Sequence, residues 1–176
     1  AWIGSAYFFT SSTSFANPAV TIGRTLSDSF AGIAPSCAPQ FIAAQILGGS
    51  LGAIVANLMF EHPGLDPSQK VRDGAHLWLG EVIASAGLIF IIFLAIKQGI
   101  DKKIPRLVAA WIGAAYFFTS STSFANPAVT IARSLTDSFS GINFSSVPAF
   151  IAAQIVGAAL GYSAFKYLTT KAKSGK

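Results

Sequence analysis

The sequence has 176 residues, of which 52% are hydrophobic and only 11% are charged, and its formal net charge is +5. Soluble domains carry about 25% charged residues, so this chain, with a mean hydropathy of +0.57, has too few polar side chains to cover a surface in water. The composition excludes a disordered chain, a collagen-like fibre and a nucleic-acid-binding module. A single cysteine, Cys37, excludes an intramolecular disulfide framework. A membrane protein remains.

Apolar runs predict the helices, taken here in chain order. A helix needs about 20 apolar residues to cross a bilayer, and the runs that meet this length are residues 38–60, 77–96, 105–123 and 147–168. The first run, 1–14, is too short to span, and it begins without a methionine or a charged segment typical of a signal peptide. We therefore expect an all-α membrane protein of about five spans, truncated at its N-terminus.

The charged residues cluster between these runs. Eight of the twelve lysines and arginines lie in the loop 97–106 and in the tail from residue 166 onward, whereas the segment 61–76 is slightly acidic. Because positively charged loops stay on the cytoplasmic side, we expect the loop and the tail in the cytoplasm and the segment 61–76 outside a cell membrane. The lysines flank apolar spans and lack interleaved aromatic residues, so no nucleic-acid partner is expected.

The sequence repeats itself. Residues 1–52 align without a gap with residues 110–161, and 39 of the 52 pairs are identical. One additional span, 77–96, lies between the copies, so an odd number of crossings separates equivalent points and the second copy is inverted relative to the first. Inverted repeats with helices interrupted near the midplane occur in proteins that move solutes. The predicted units are a first half-repeat at 1–60, an outer linker at 61–76 and a second half-repeat with a basic tail at 77–176.

An Asn-Pro-Ala motif follows a Ser/Thr-rich stretch in each copy. Asparagine is a strong helix N-cap and proline suits the first helical position, so each motif predicts a short helix that starts inside the membrane. Two positive helix ends that meet at the midplane, each about half a charge, would repel cations. The asparagine amides and extended carbonyls nearby would offer hydrogen bonds to a passing water. The motif residues are Asn17, Pro18, Ala19, Asn126, Pro127 and Ala128.

With two Asn-Pro-Ala loops between membrane spans, the sequence resembles the aquaporin (major intrinsic protein) family. Residues 77–168 resemble the family's fourth span, fifth span, second Asn-Pro-Ala loop and sixth span. Residues 1–60 resemble the fifth span, that loop and the sixth span again, so the second half is repeated and the first half is absent. A fragment, a recent duplication or an artificial sequence would each give this arrangement. The resemblance implies an aquaporin-like inverted repeat with two re-entrant half-helices, and a homotetramer.

The resemblance also implies where the pore is narrowest. The family usually has an arginine directly after the second Asn-Pro-Ala, where both copies here have valine, and the positions twelve and three residues before the asparagine are small. These expected constriction residues are Ser5, Ser14, Val20, Ala114, Ser123 and Val129. They imply a wide, weakly cationic opening, as in bacterial aquaglyceroporin-like members of arsenic-resistance gene clusters, which pass glycerol and neutral metalloid hydroxides such as arsenite.

Three polar residues are candidates for holding the loops in place. Glu81 is the ionisable residue inside a clear span, and intramembrane carboxylates are costly and usually functional. By resemblance it accepts hydrogen bonds from loop backbone, with proton coupling as the alternative. Gln45 and Gln154 are expected either to brace loop backbone in the same way or to form hydrogen bonds between helices.

Arg24 and Arg133 lie seven residues after the two asparagines, too far along to be the family's filter arginine. Asp28 and Asp137 follow four residues later, a spacing that favours an ion pair on one helix face. We therefore expect a local ion pair at each pore mouth.

These features predict a passive channel for water and small neutral solutes, with the lipid bilayer and those solutes as partners. The alternative is a non-conducting aquaporin fragment that needs a missing span or a partner. An ion-coupled transporter would need paired intramembrane charges, and the spans offer only Glu81. The sequence contains no nucleophile–base pair, phosphate-binding loop, cofactor motif or set of metal ligands, so no enzymatic activity, cofactor or metal is expected.

Overall fold

The computed structural model describes residues 2–29 and 32–174, and all regular structure within them is helical. The helices are α1 (Trp2–Phe9), α2 (Pro18–Arg24), α3 (Ala38–Met59), α4 (Ala75–Lys97), α5 (Ile104–Phe118), α6 (Pro127–Arg133) and α7 (Val147–Ser174). Short 3₁₀ turns, Asp101–Lys103 and Phe144–Ser146, precede α5 and α7. The first copy supplies α1, α2 and α3, the second supplies α5, α6 and α7, and α4 separates them. The predicted all-α class is confirmed.

Among the described residues, three helices are long and apolar enough to cross a membrane: Ala38–Met59, Ala75–Lys97 and Phe144–Thr170. The expectation of a fourth full span at 105–123 needs correction, because α5 ends at Phe118 after 15 residues, which is about 22 Å of helix. The Ser/Thr stretch that follows cannot continue the helix, since Thr122 and Ser123 have positive φ angles of 62° and 49°. The apolar run 105–123 therefore covers both α5, up to Phe118, and the first residues of the loop that follows it.

The two half-helices, α2 and α6, start where the sequence places their caps. Asn17 is extended, with φ −156° and ψ 114°, and its side-chain oxygen accepts hydrogen bonds from the backbone N–H groups of Ala19 and Val20. Asn126 caps α6 in the same way, with φ −159° and ψ 111°. Proline occupies the first turn of both helices, where its missing N–H is harmless and its fixed φ is already helical. Each half-helix ends seven residues later at an arginine.

Helix α4 packs tightly against α7 through two glycines. A Cβ on Gly157 would lie 2.4 Å from the carbonyl oxygen of Val82, and one on Gly161 would lie 2.1 Å from that of Ala86. Both distances are too short for a real side chain, so this pair of helices can approach closely only because both positions are glycine. Further along, the Phe93 ring packs edge-on against Tyr162 at 4.9 Å between centroids.

The equivalent face of α3 has no such partner among the described helices. A Cβ on Gly48 or Gly52, which match Gly157 and Gly161 in the repeat, would meet no atom within 4 Å. Of all the side chains of α3, only Ala38 and Asn57 are buried. The first copy thus has its own half-helix and its own long helix, but no described counterpart of α4.

The linker between α3 and α4 forms hydrogen bonds with the loop that joins α6 to α7. Arg72, which is buried, donates from Nε to the carbonyl of Gly141 at 2.7 Å and from Nη2 to that of Phe139 at 3.1 Å. Asn57 donates to the carbonyl of Leu135 at 2.9 Å. Burial lowers the pKa of the Arg72 guanidinium and the nearby charge of Arg133 lowers it further, whereas Glu81 raises it. This end of the molecule is therefore a hydrogen-bonded cap of two loops.

Candidate functional site

The two Asn-Pro-Ala loops meet through a reciprocal pair of hydrogen bonds. Asn17 Nδ2 donates to the backbone carbonyl of Ala125 at 2.7 Å, and Asn126 Nδ2 donates to that of Ala16 at 2.7 Å. Ala16 and Ala125 hold φ angles of 39° and 47°, a left-handed conformation that is uncommon outside glycine. The strained turn in each copy orients its carbonyl toward the asparagine of the other copy. Because the same strained conformation occurs in both copies, we infer that it serves the site.

This pairing brings the N-termini of α2 and α6 face to face. Each asparagine uses its oxygen to cap its own half-helix and one N–H to bond the opposite loop. An amide group has two N–H donors, and among the described residues no protein partner takes the second one. The positive N-termini of α2 and α6 and the unused N–H donors of Asn17 and Asn126 therefore lie close together where the two loops meet.

A cavity of about 450 Å³ contains this point. Its wall combines both Asn-Pro-Ala loops, one face of α5 and the inner side of α4. On α5 the lining residues recur every four positions, at Ile104, Val108, Ile112 and Tyr116, as expected for one face of a helix. The wall is mostly apolar, and its polar groups concentrate at the loops, as is typical of a site that takes small solutes.

Glu81 holds the second loop from behind. Its carboxylate is fully buried and accepts hydrogen bonds from the backbone N–H groups of Phe124 at 2.8 Å and Ala125 at 2.7 Å. Gln154 Nε2 donates to the same carboxylate at 2.6 Å. The carboxylate therefore fixes the turn that presents the Ala125 carbonyl to Asn17, and it does not line the cavity.

Gln45 and Gln154 contact side chains of the half-helices. Gln45 Nε2 donates to Thr21 Oγ1 and Gln154 Nε2 donates to Thr130 Oγ1, both at 2.8 Å. Each threonine in turn donates to the carbonyl of its own capping asparagine. Of the two expectations, the geometry matches hydrogen bonds between helices, and no bond from either glutamine to loop backbone is found in the described part of the chain.

The expected constriction residues divide into two groups. Ser14, Val20, Ser123 and Val129 line the cavity, whereas Ser5 and Ala114 do not and are exposed. Helix geometry accounts for the position of Ala114 outside the cavity wall. Ala114 lies two residues from Ile112 on α5, and two residues turn a helix by about 200°, which directs Ala114 to the opposite face.

Two positions after Ser5 and Ala114, the residues of α1 and α5 that line the cavity are aromatic. Tyr116 on α5 and Tyr7 on α1, which match each other in the repeat, both face the cavity. The family spacing predicts Ser5 and Ala114, two positions earlier, and therefore misses both tyrosines. The periodicity of α5 identifies Tyr116, because Tyr116 continues the series of every fourth residue that begins at Ile104.

Arg24 and Arg133 also line the cavity. The ion pairs expected with Asp28 and Asp137 do not form: among the described residues, neither arginine has a carboxylate partner. Arg24 instead lies over the ring of Phe15, with its Cζ 4.1 Å from the ring centroid. Asp137 is engaged elsewhere, as the acceptor of a 3.0 Å hydrogen bond from the backbone of Gln69. The helix ends at each arginine, so an aspartate four residues later lies off the helix.

Comparison with known proteins gives a relative that matches most of the chain. The chain is 41% identical over 157 residues to Aquaglyceroporin AqpS of Rhizobium meliloti (strain 1021). The match covers 89% of the chain, so it includes most of both repeat copies, and it spans 66% of the relative, slightly under two thirds of its length. No family model and no solved structure matches the chain. With its apolar helices and paired Asn-Pro-Ala loops, the chain is a membrane protein of the aquaporin (major intrinsic protein) family.

Proposed function

We propose that the chain forms a passive pore for water and small neutral solutes such as glycerol. The observation that carries this proposal is the reciprocal pair of 2.7 Å hydrogen bonds from Asn17 and Asn126 to the opposite loops. That pair fixes two amide groups in a cavity, each with an N–H left for a solute oxygen. The similarity to a protein named an aquaglyceroporin supports the same function.

The electrostatics of the pair favour neutral solutes. The N-termini of α2 and α6 each carry a partial positive charge of about half a unit, and both point at the midpoint of the cavity. A cation at that point meets two positive helix ends and no carboxylate, because Glu81 points its oxygens at loop backbone. Such an arrangement of half-helix dipoles excludes protons and other cations while neutral molecules pass.

The finer part of the proposal concerns solute size. Val20 and Val129 line the cavity where the family usually has an arginine. Apolar side chains at these positions leave a pore wide enough for glycerol and for neutral metalloid hydroxides such as arsenite. We include arsenite in the proposal because its hydroxyl groups offer the same donors and acceptors as a small polyol.

Stopped-flow light scattering on proteoliposomes tests the pore. We expect osmotic water and glycerol permeability well above that of empty vesicles, and a loss of most of that increase in N17D/N126D. Aspartate still caps a helix but removes both N–H donors and places a carboxylate against each opposing carbonyl. The matched control is F117L, because Phe117 is 93% exposed and lies outside the cavity wall. Equal rates for wild type and empty vesicles, with folded and inserted protein, would contradict the proposal.

One observation favours a second candidate, in which the chain does not conduct by itself. The face of α3 is uncovered at Gly48 and Gly52, and among the described residues no carboxylate accepts from the backbone of Phe15 and Ala16 as Glu81 does for the second loop. A pore open to lipid on that side would need another helix. The same vesicles decide between the two, since this candidate predicts no water permeability above background for the chain alone.

By family resemblance we further propose a homotetramer in the cell membrane. Light scattering of the detergent-solubilised protein after size exclusion gives its mass. We expect four copies, and a single copy would contradict the assembly without bearing on conduction.

A further inference from the structure

The basic residues of the turn between α4 and α5 and of the end of α7 form one surface. Lys97, the last residue of α4, donates from Nζ to the backbone carbonyl of Thr169 on α7 at 3.1 Å. Beneath this contact, Ile100 and Phe165 pack on the apolar cluster that includes Ile104, so the turn lies beside the end of α7. The exposed cations of this region, which we call the basic surface, are Lys97, Lys102, Lys103, Arg106 and Lys166.

The cations of the basic surface are not paired within the described part of the chain. No carboxylate lies within ion-pair distance of any of them, and Asp101, the acidic residue of the turn, is half-buried. The opposite end of the molecule differs, because Lys70 and Arg72 there donate to backbone carbonyls. The basic surface therefore keeps most of its N–H donors for an external anion.

The first repeat copy shows that helix formation does not require these cations. α3 is the counterpart of α7, and its 22 residues include no lysine or arginine. In the repeat, Lys166 aligns with Asn57, which lies in α3, and the later lysines Lys171 and Lys173 align with His62 and Gly64. The cations are thus specific to the second copy, and the folding of the helix does not account for them.

The basic surface lies where spanning helices leave the apolar layer of the membrane. α7 has 28 residues, Val147–Ser174, or about 42 Å of helix, whereas the hydrocarbon core is about 30 Å thick. Since about 20 residues cross that core, a helix that enters it near Val147 leaves it near Lys166. Leu168 follows directly and is 53% exposed. Cations and exposed apolar side chains therefore occur together, which suits a ligand with an anionic head and acyl chains.

A surface pocket of about 520 Å³ lies at the turn, lined by Gly99, Ile100, Asp101, Lys102 and Lys103. This volume is in the range of sites for small ligands. The two lysines outnumber the single carboxylate, so the pocket favours an anionic group such as a phosphate.

We propose that the basic surface binds the headgroup phosphates of anionic phospholipids in the surrounding membrane, with Lys102 and Lys103 at the pocket as principal contacts. Clusters of about four to eight lysines and arginines directly beside a spanning helix are typical of such binding. None of the five residues lines the cavity between the Asn-Pro-Ala loops, so this proposal does not depend on conduction.

Native mass spectrometry of the protein in a neutral detergent tests the binding. The protein is mixed with equal amounts of phosphatidylglycerol and phosphatidylcholine that have the same acyl chains, and the bound lipids are counted by mass. We expect bound phosphatidylglycerol to exceed bound phosphatidylcholine about fivefold or more, which is the factor contributed by one lysine near an anionic surface.

Charge variants locate the site. K102Q/K103Q/R106Q removes three cations of the turn and should lower the ratio of the two bound lipids to about one. K102Q and K70Q are a matched pair, because each removes one exposed lysine, but Lys70 donates to the Phe139 carbonyl at the opposite end. K102Q should lower the ratio, and K70Q should leave it at the wild-type value. Circular dichroism confirms that each variant is folded, and K102Q alone carries the comparison if the triple variant is not.

Three outcomes would overturn the proposal. Wild type and K102Q/K103Q/R106Q could bind the two lipids in the same ratio. K70Q could lower the ratio as much as K102Q, which would assign the preference to net charge. Free glycerol phosphate at the same concentration could displace the bound phosphatidylglycerol, which would show that the surface takes phosphate esters from water. An absence of water permeability would contradict the pore alone and would leave this binding surface intact.

Discussion

At the scale of single residues, the asparagine and glutamate side chains each serve more than one partner. Asn126 caps its half-helix with its oxygen and reaches the opposite loop with its nitrogen. Glu81 accepts two backbone N–H groups and one side-chain amide. Since the turn at Ala125 supplies the carbonyl that Asn17 binds, the carboxylate also fixes the distance between the two loops.

This dependence leads to a prediction for E81Q. The glutamine amide presents a donor where the carboxylate oxygen accepts from two groups, so at least one buried hydrogen bond is lost. Hydrogen bonds to charged groups contribute about 1.5–3 kcal/mol each, and we expect a comparable drop in the free energy of unfolding, measured in detergent by circular dichroism. E61Q is the matched control because Glu61 lies in the exposed linker. Equal stability of both variants would contradict a bracing role.

The site residues that follow from the sequence without any family resemblance are those with purely local causes. Asparagine capping and proline at the first helical position place Asn17 and Asn126 without tertiary information. The sequence predicts ion pairs for Arg24 and Arg133, but the spacing to the aspartates favours a pair only if the helix continues past the arginine. Here α2 and α6 end at the arginines, and where a short helix ends depends on the loops packed around it.

At the scale of helices, the glycines of α7 are required and those of α3 are not. The first copy provides the matched site: Gly52 is the repeat equivalent of Gly161, and a Cβ there would meet nothing within 4 Å. A methyl group on Gly161 would clash with the backbone of Ala86, and overpacking costs about 1–3 kcal/mol.

We therefore expect G161A to lower the unfolding temperature in detergent. G52A should leave it unchanged or raise it slightly, since alanine favours an exposed helix over glycine by up to about 1 kcal/mol. A similar decrease in both variants would show that the face of α3 is also packed in the folded protein.

The sequence predicts which helices are present better than it predicts how long each helix is. The repeat predicts two equivalent sets of helix, loop, half-helix and helix, and the structure contains both sets. The apolar run 105–123 overstates α5, because Ser and Thr lie in the run yet form the strained turn at Thr122 and Ser123. Hydropathy does not distinguish an apolar helix from the buried loop that follows it.

At the scale of the whole molecule, the distribution of charge predicts an orientation that Cys37 can report. This single cysteine is exposed and directly precedes α3, which leads to the linker expected outside. We expect a membrane-impermeant maleimide to label Cys37 only after permeabilisation of cells. C37S/Q69C, which moves the thiol to the exposed linker, should be labelled in intact cells. The reverse pattern would contradict the orientation from charge.

The near identity of the two copies also has a consequence for assembly. α3 and α7 share Phe, Gln and two Gly at equivalent places, Phe41, Gln45, Gly48 and Gly52 in α3, so much of the surface that receives α4 exists twice. During synthesis α3 precedes α4 and α7 follows it, which makes α3 the first surface that α4 meets. Such competing pairings are a source of kinetic traps.

The far end of the interface differs between the two copies and favours the pairing of α4 with α7. Phe93 of α4 packs against Tyr162 and Phe165 of α7, with centroids 4.9 Å and 5.4 Å apart. The equivalent residues of α3 are Ala53 and Ala56, which offer no ring. The two copies have diverged at these positions, so only α7 offers aromatic rings to Phe93. These contacts favour α7 over α3 as the partner of α4.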